Sequence, residues 1–501
     1  MNSESLGHSS PIERTRDRVP ASRQVGAYVF SIPGALFALG LASAWLYYWG
    51  GDLHRFTQWV AAYVTLFLAQ FAIYLAACYA VLRAARLSRV ASTFCVAIVI
   101  VFAAGFRAQL VDKRPYLSTD VYRYIWDGRV QVAGINPYRY VPAAAELSHL
   151  RDEKIYPAIN RADYAITPYP PVAQAIYCAV YFLRPSSVIA FKSAMSLFDV
   201  VTMIAILLVL LRLGIEPARL VLFAWNPLLI FEAAHSGHIE SAFIAFLALA
   251  LLCWSHRKAS LTGLALGLAT MVKFYPALLL PAFLVAMAGR AKFGASGESQ
   301  NRTPGIQSVF NGFNIRMLAA FVVTILVAYA PYLSLGMGVF GPLGSEFREE
   351  GFVEGGGRYF LLALARTITP LPTILFSILA MLALCGLGLW LLYKQKRDAL
   401  DVAVASSTLI GVYLLIASPR YPWYYAWLIP YLCFVPRLGW IYLTGATVLL
   451  YFLWYTPLLY PEIPLWLGAA LYVPTVAMLI WERGAPRRGR GDAGTRDSVT
   501  R

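Results

Sequence analysis

Residues 187–211 read SVIAFKSAMSLFDVVTMIAILLVLL. The run has the length of a bilayer crossing, about 20 residues in helical form, and it still carries Lys192 and Asp199. Charges of this kind inside an apolar span face a bundle interior, and these two, on one helix, are expected to pair there. Similar runs recur at 26–49, 58–82, 90–106, 220–234, 239–255, 260–272, 274–288, 317–334, 371–393, 402–417, 423–436, 438–456 and 465–481. The chain is therefore expected to be an all-α polytopic membrane protein with about 13–14 transmembrane helices.

Composition agrees. Of 501 residues, 59% are hydrophobic and 14% charged, against roughly 45–50% and about 25% in soluble domains. A soluble enzyme is excluded, and so is disorder except at the ends. The net charge of +16, from 42 Lys+Arg against 26 Asp+Glu, resides in short loops and tails, as at the cytoplasmic ends of membrane spans. It implies topology and contact with lipid, not a nucleic-acid partner. The six cysteines lie inside apolar runs without a CxxC pair, so neither a disulfide framework nor a zinc site is expected.

Basic stretches fall at Arg14–Arg23, Arg83–Arg89, Arg212–Arg219, Arg257–Lys258, Arg290–Arg316, Lys394–Arg397, Arg437 and Arg483–Arg490. Placing all of them in the cytoplasm gives one consistent threading with both termini inside. The segment 169–183, starting Tyr169-Pro170-Pro171, is barely long enough to span, and counting it as a full span breaks the charge pattern downstream, so it reads as a short re-entrant or interfacial helix. Every polar, non-basic cluster then falls on the opposite, periplasmic or lumenal, face. These are the loop 107–168, His235-Ser236-Gly237-His238-Ile239-Glu240, the break at Lys273, the loop 335–357 and Ser418-Pro419-Arg420-Tyr421-Pro422-Trp423. Nucleotide-activated substrates are scarce there, and no P-loop or Rossmann fingerprint occurs. A lipid-linked substrate is the consequence.

In the long loop, Ser118 or Thr119 can cap a helix starting near Asp120. Asp120, Arg123, Tyr124 and Asp127 would share one face of that helix, and Arg129 follows. Two carboxylates flanked by arginines suit a general base and its orienting partner; an amphipathic interfacial helix is the plainer reading. His235 and His238, with Glu232 and Glu240, suggest either metal ligands or hydrogen bonds to a ligand, the second favoured because HExxH is absent. Lys273 within an apolar run is a functional candidate, with snorkelling as the alternative. Glu346, Glu349, Glu350 and Glu354 lie in a Gly-rich loop that reads as solvated, with a lid as the other option.

These pieces, in this order, resemble the GT-C glycosyltransferases. The chain is most similar to the polyprenyl-phosphate-mannose-dependent mannosyltransferases of actinobacterial envelopes (glycosyltransferase family 87-like), and more distantly to the first GPI mannosyltransferase. The resemblance runs over roughly residues 90–430. Its motifs are Asp120-Val-Tyr-Arg-Tyr through Asp127-Gly-Arg, Gly134-Ile-Asn-Pro-Tyr, Tyr169-Pro-Pro, Asn226-Pro-Leu, Gly237-His-Ile-Glu240, Lys273-Phe-Tyr-Pro and Pro422-Trp-Tyr-Tyr-Ala-Trp427. It implies a GT-C-like domain over 26–482, with an external catalytic loop at 107–168, an external loop at 335–357 and a cytoplasmic loop at 289–316. Tails at 1–25 and 483–501 would be cytoplasmic, in a cell inner membrane.

The resemblance further implies that Asp120 is the catalytic base of an inverting transfer, moving a hexose, mannose above all, from a polyprenyl-phosphate sugar to a glycan or glycolipid acceptor. Tyr124, Asp127, Arg123, Arg129, His235, His238, Glu240, Lys273, Arg420 and Trp423 are the substrate-binding candidates. No cofactor and no metal ligand is assigned. Relatives often carry His before Pro-Trp-Tyr; here Tyr421 stands there, preceded by Arg420. The competing class, a flippase of lipid-linked glycans, would favour inverted repeats and paired broken helices at the midplane.

Overall fold

The computed structural model describes residues 21–55, 58–84, 87–285, 309–340, 359–394, 398–455 and 463–484. The glutamates at 346–354, the tails before residue 21 and after residue 484, and most of the 289–316 loop lie outside the described residues. Among those described, no strand occurs.

The principal helices are α1 (Ala21–Gly50), α2 (Trp59–Arg83), α3 (Arg89–Val111), α4 (Asp120–Val132), α5 (Pro171–Leu183), α6 (Val188–Leu213) and α7 (Glu240–Ser255). They continue as α8 (Ala259–Thr270), α9 (Gly312–Tyr329), α10 (Thr373–Tyr393), α11 (Ala399–Ala417), α12 (Leu438–Ala446) and α13 (Leu465–Gly484). Among the described residues, eight helices are long and apolar enough to cross a membrane: α1, α2, α3, α6, α9, α10, α11 and α13. The protein is a multi-pass all-α membrane protein.

Helix direction alternates, so the chain has a basic end and a site end. At the basic end Ser92 donates to Glu216, Arg212 to the Ser255 carbonyl, Trp254 to the Phe283 carbonyl, and the Leu438 N–H to Glu482. At the site end Lys113 pairs with Asp52, Tyr332 donates to Gln131, and the Phe360 N–H donates to Ser418. The segments 220–234, 274–285 and 422–434 also run between these ends, but as short α, 3-10 and π pieces interrupted by prolines. That explains why the long helices are fewer than the passes expected from apolar runs. Broken backbone at this depth is tolerated because these pieces are buried in protein. Leu222, Phe223, Ile230, Phe283, Tyr425 and Leu428 are all in the core.

The α5 helix begins and ends at the site end. The Val172 N–H donates to the Met271 carbonyl, and Ser186, just past the helix, accepts from Arg129. It lies against α4, where Gly128 makes the close approach possible: a Cβ there would stand 2.4 Å from the Tyr177 carbonyl oxygen.

The expected pairing of Lys192 with Asp199 does not occur. Seven residues along one helix separate two side chains by about two turns, too far to meet. Asp199 instead takes Arg107 of α3 at 2.9 Å, fully buried. Lys192 donates to the backbone carbonyls of Leu110 and Lys113. Both charges thus fasten α6 to α3.

Candidate active site

The α4 helix starts at Asp120, whose backbone N–H is received by Ser118 Oγ at 3.2 Å. The two carboxylates of this helix have opposite surroundings. Asp127 is buried and accepts hydrogen bonds from Arg123, Thr167 and Gln174. Arg123 also donates to the Ala165 carbonyl at 3.0 Å. Arg129 is engaged by Asp152, the Leu150 carbonyl and Ser186. These three charges, all substrate-binding candidates by sequence, are spent on holding the 120–186 segment together. The Arg123 guanidinium turns away from Asp120 to Asp127, one turn further along.

Asp120 itself stays 20% exposed. Its Oδ1 accepts from Asn160 Nδ2 at 2.8 Å, and its Oδ2 lies 3.7 Å from His238 Nδ1.

His238 is aimed by its neighbours in sequence. Phe231–Ser236 form a π turn, a widened turn that often marks functional sites. Gly237 closes it at φ +77°, a left-handed conformation that glycine adopts without strain. The next residue, His238, is buried and stacks on Trp423, with ring centroids 4.0 Å apart and planes 23° apart. Its Nε2 lies 3.3 Å from Glu232 and its Nδ1 3.9 Å from Glu240. Glu232 in turn accepts a hydrogen bond from Tyr451. Lys273, just past α8, pairs with Glu240 and sits 4.3 Å over the Tyr424 ring.

The structure therefore brings Asp120, His238, Glu240, Lys273 and Trp423 together from four separate stretches of chain. It leaves His235 apart, packed against Tyr116 with ring centroids 4.3 Å apart. Tyr124 stacks on Tyr177 beneath the site. Arg420 is partly buried, directly before Tyr421, which stacks on Trp423 with centroids 4.8 Å apart. Among the described residues, no group of three or more His, Cys, Asp or Glu side chains is placed to hold a metal ion.

Sequence reasoning missed two contributors. Asn160 holds Asp120, and Arg161, at φ 57°, donates to the Tyr421 hydroxyl at 3.0 Å. Neither sits in a motif; only the folding of the loop back onto α4 shows them.

A partly exposed carboxylate at a helix start, a buried histidine, a paired lysine and an aromatic wall gathered at one end of a helical bundle form an arrangement compatible with group transfer. The family comparison agrees. Residues 32–289 match the N-terminal domain of the alpha-(1->6)-mannopyranosyltransferases, just over half of the chain, and the chain belongs to that family. It is a membrane mannosyltransferase. No curated protein matches it.

Proposed function

We propose that this protein transfers mannose from a polyprenyl-phosphate donor to a lipid-linked or envelope glycan on the periplasmic face of the inner membrane. Both termini are cytoplasmic, and a single GT-C-like domain spans 26–482. Asp120 takes the proton of the acceptor hydroxyl as that oxygen attacks the anomeric carbon. Polyprenyl phosphate leaves from the opposite side of the sugar. Its growing charge is met by Lys273, which exchanges Glu240 for the phosphate, or by Arg420. Trp423 and its stacked neighbours form the apolar wall beside the sugar.

The observation that carries this reading is the contrast between the two carboxylates of α4. Asp127 is saturated with donors, while Asp120 keeps solvent access and one lateral hydrogen bond. The first can only hold structure; the second is free to take a proton.

The stereochemistry supplies a test. Inversion that yields the α-(1→6) linkage of the family's name requires a β-linked mannosyl phosphate. Purified protein is incubated with labelled α- and β-mannosyl polyprenyl phosphates and a membrane lipid extract, with a nucleotide-mannose control. Transfer from the β donor alone, giving an α-mannoside, is expected. Transfer from the nucleotide sugar without added lipid donor would overturn the proposal.

A further inference from the structure

We propose that His238 relays the proton collected by Asp120, passing it between that carboxylate and Glu232. The inference rests on Asp120 being the base, as proposed above. His238 stands between the two acids with a different ring nitrogen toward each: Nδ1 is 3.7 Å from Asp120 Oδ2, and Nε2 is 3.3 Å from Glu232 Oε2. Neither contact has hydrogen-bond geometry in this structure; catalytic contacts are commonly long or poorly aligned without substrate and tighten when it binds. The ring is fixed by Trp423 on its face and by the turn at Gly237, and its partner Glu232 is held by Tyr451.

Burial makes the arrangement informative. His238 and Glu232 are both 1% exposed, and among the described residues His238 is the only basic side chain within ion-pair reach of Glu232. An isolated buried carboxylate is costly, so the pair favours sharing a proton. The charged groups facing His238 are Asp120 from α4, Glu232 from the π turn, Glu240 from α7 and Lys273 from the end of α8. Lys273 is already matched by Glu240. Two acids remain to one imidazole, and the unit can take up an extra proton.

The step balances without another reactant. The acceptor O–H bond breaks and its proton goes to Asp120 Oδ2. Its oxygen bonds to the anomeric carbon, and the electron pair of the broken C–O bond leaves on the phosphate. Asp120 hands its proton to His238 Nδ1 while the Nε2 proton passes to Glu232. On product release the proton returns by the same route through partly exposed Asp120, to water or to the departing phosphate. His238 acts through Asp120 and is a positioning residue.

The test is His238→Gln in the full-length protein, reading kcat and KM for labelled donor across pH. Expected are a kcat loss of roughly tenfold or more and a donor KM within about twofold of the parent. The acid limb of kcat should also move to lower pH by about one unit or more, because the base then no longer shares its proton with an imidazole. Glu232→Gln should move the limb the same way, and it carries the test if the glutamine variant at 238 does not fold. Loss of kcat with an unmoved limb would mean a purely structural clamp and would overturn the relay, as would parental kcat in His238→Gln. If Asp120→Asn stays active, the reading beneath the relay fails instead, so the two failures are distinguishable.

Discussion

Replacing Asp120 with Asn separates the proposed chemistry from its structural background. The carbonyl oxygen of an asparagine can still accept from Asn160, so the 2.8 Å hydrogen bond persists. What is lost structurally is a negative charge at the first turn of α4, about 0.3–1 kcal/mol at an exposed helix start. What is lost catalytically is a base, worth roughly 10²–10⁴ in rate. At about 1.4 kcal/mol per tenfold, that is about 3–5 kcal/mol on the barrier. The catalytic loss exceeds the structural one severalfold, so the two are resolved by measuring both. Transfer of label from mannosyl polyprenyl phosphate should fall at least a hundredfold at saturating donor, with the thermal unfolding midpoint in detergent nearly unchanged. Transfer within about tenfold of the parent, in a protein that unfolds normally, would refute the assignment.

Three further outcomes follow from the same geometry. Arg123→Ala leaves Asp127 buried without its cation, so it should destabilise the protein by about 3–5 kcal/mol in unfolding measurements, with reduced yield; normal stability would contradict the network. Burial works against ionisation of Asp152, yet hydrogen bonds from Arg129 and from the Ile155 and Tyr156 N–H groups hold its carboxyl below the usual range. A depressed value stabilises the loop above about pH 4 and loses that contribution as pH falls through the folded value. Proteolysis of the 140–160 loop by an acid-tolerant protease should therefore rise steeply below about pH 4, whereas Asp152→Asn should be cut readily at pH 5 as well; equal cutting of both proteins at pH 5 would count against it. Cysteines introduced within 140–160 should react with an impermeant thiol reagent added outside, and ones within 295–310 should not; the reverse pattern would invert the topology and remove the case for a lipid-linked donor.

The class of fold was legible because apolar length and Lys/Arg placement are properties of contiguous sequence. The start of α4 was legible for the same reason: Ser118 and Thr119 precede Asp120, and the helix begins there. Continuity fails where 220–234, 274–285 and 422–434 cross as broken pieces, since hydropathy registers burial but not backbone form. Pairings failed most. Helical spacing placed Arg123 equally near Asp120 and Asp127, and the choice was made by Thr167, Gln174 and the Ala165 carbonyl, which come from a distant part of the loop. Charge alone could not separate His235 from His238, three residues apart. The π turn sends one toward Tyr116 and the other toward Trp423.

The same loop explains why a site on irregular backbone can be precise. Catalytic groups must be held to within about half an ångström by supports that are themselves locked. Here the support is ionic and buried: Arg123 with Asp127 on one side of α4, and Arg129 with Asp152 further along. Removing charges from water costs several kcal/mol per ion unless the geometry and the remaining hydrogen bonds are good, so such a network tolerates few alternative arrangements. An apolar contact surface would leave α4 freer to slide or rotate. The Asp127 carboxylate, with three donors from separate chain segments, fixes the helix in both respects. Asp120, two turns away on the same rigid helix, inherits that position while keeping its own oxygens available. On the proposed mechanism, the buried carboxylate of the pair holds in place the one that takes the proton.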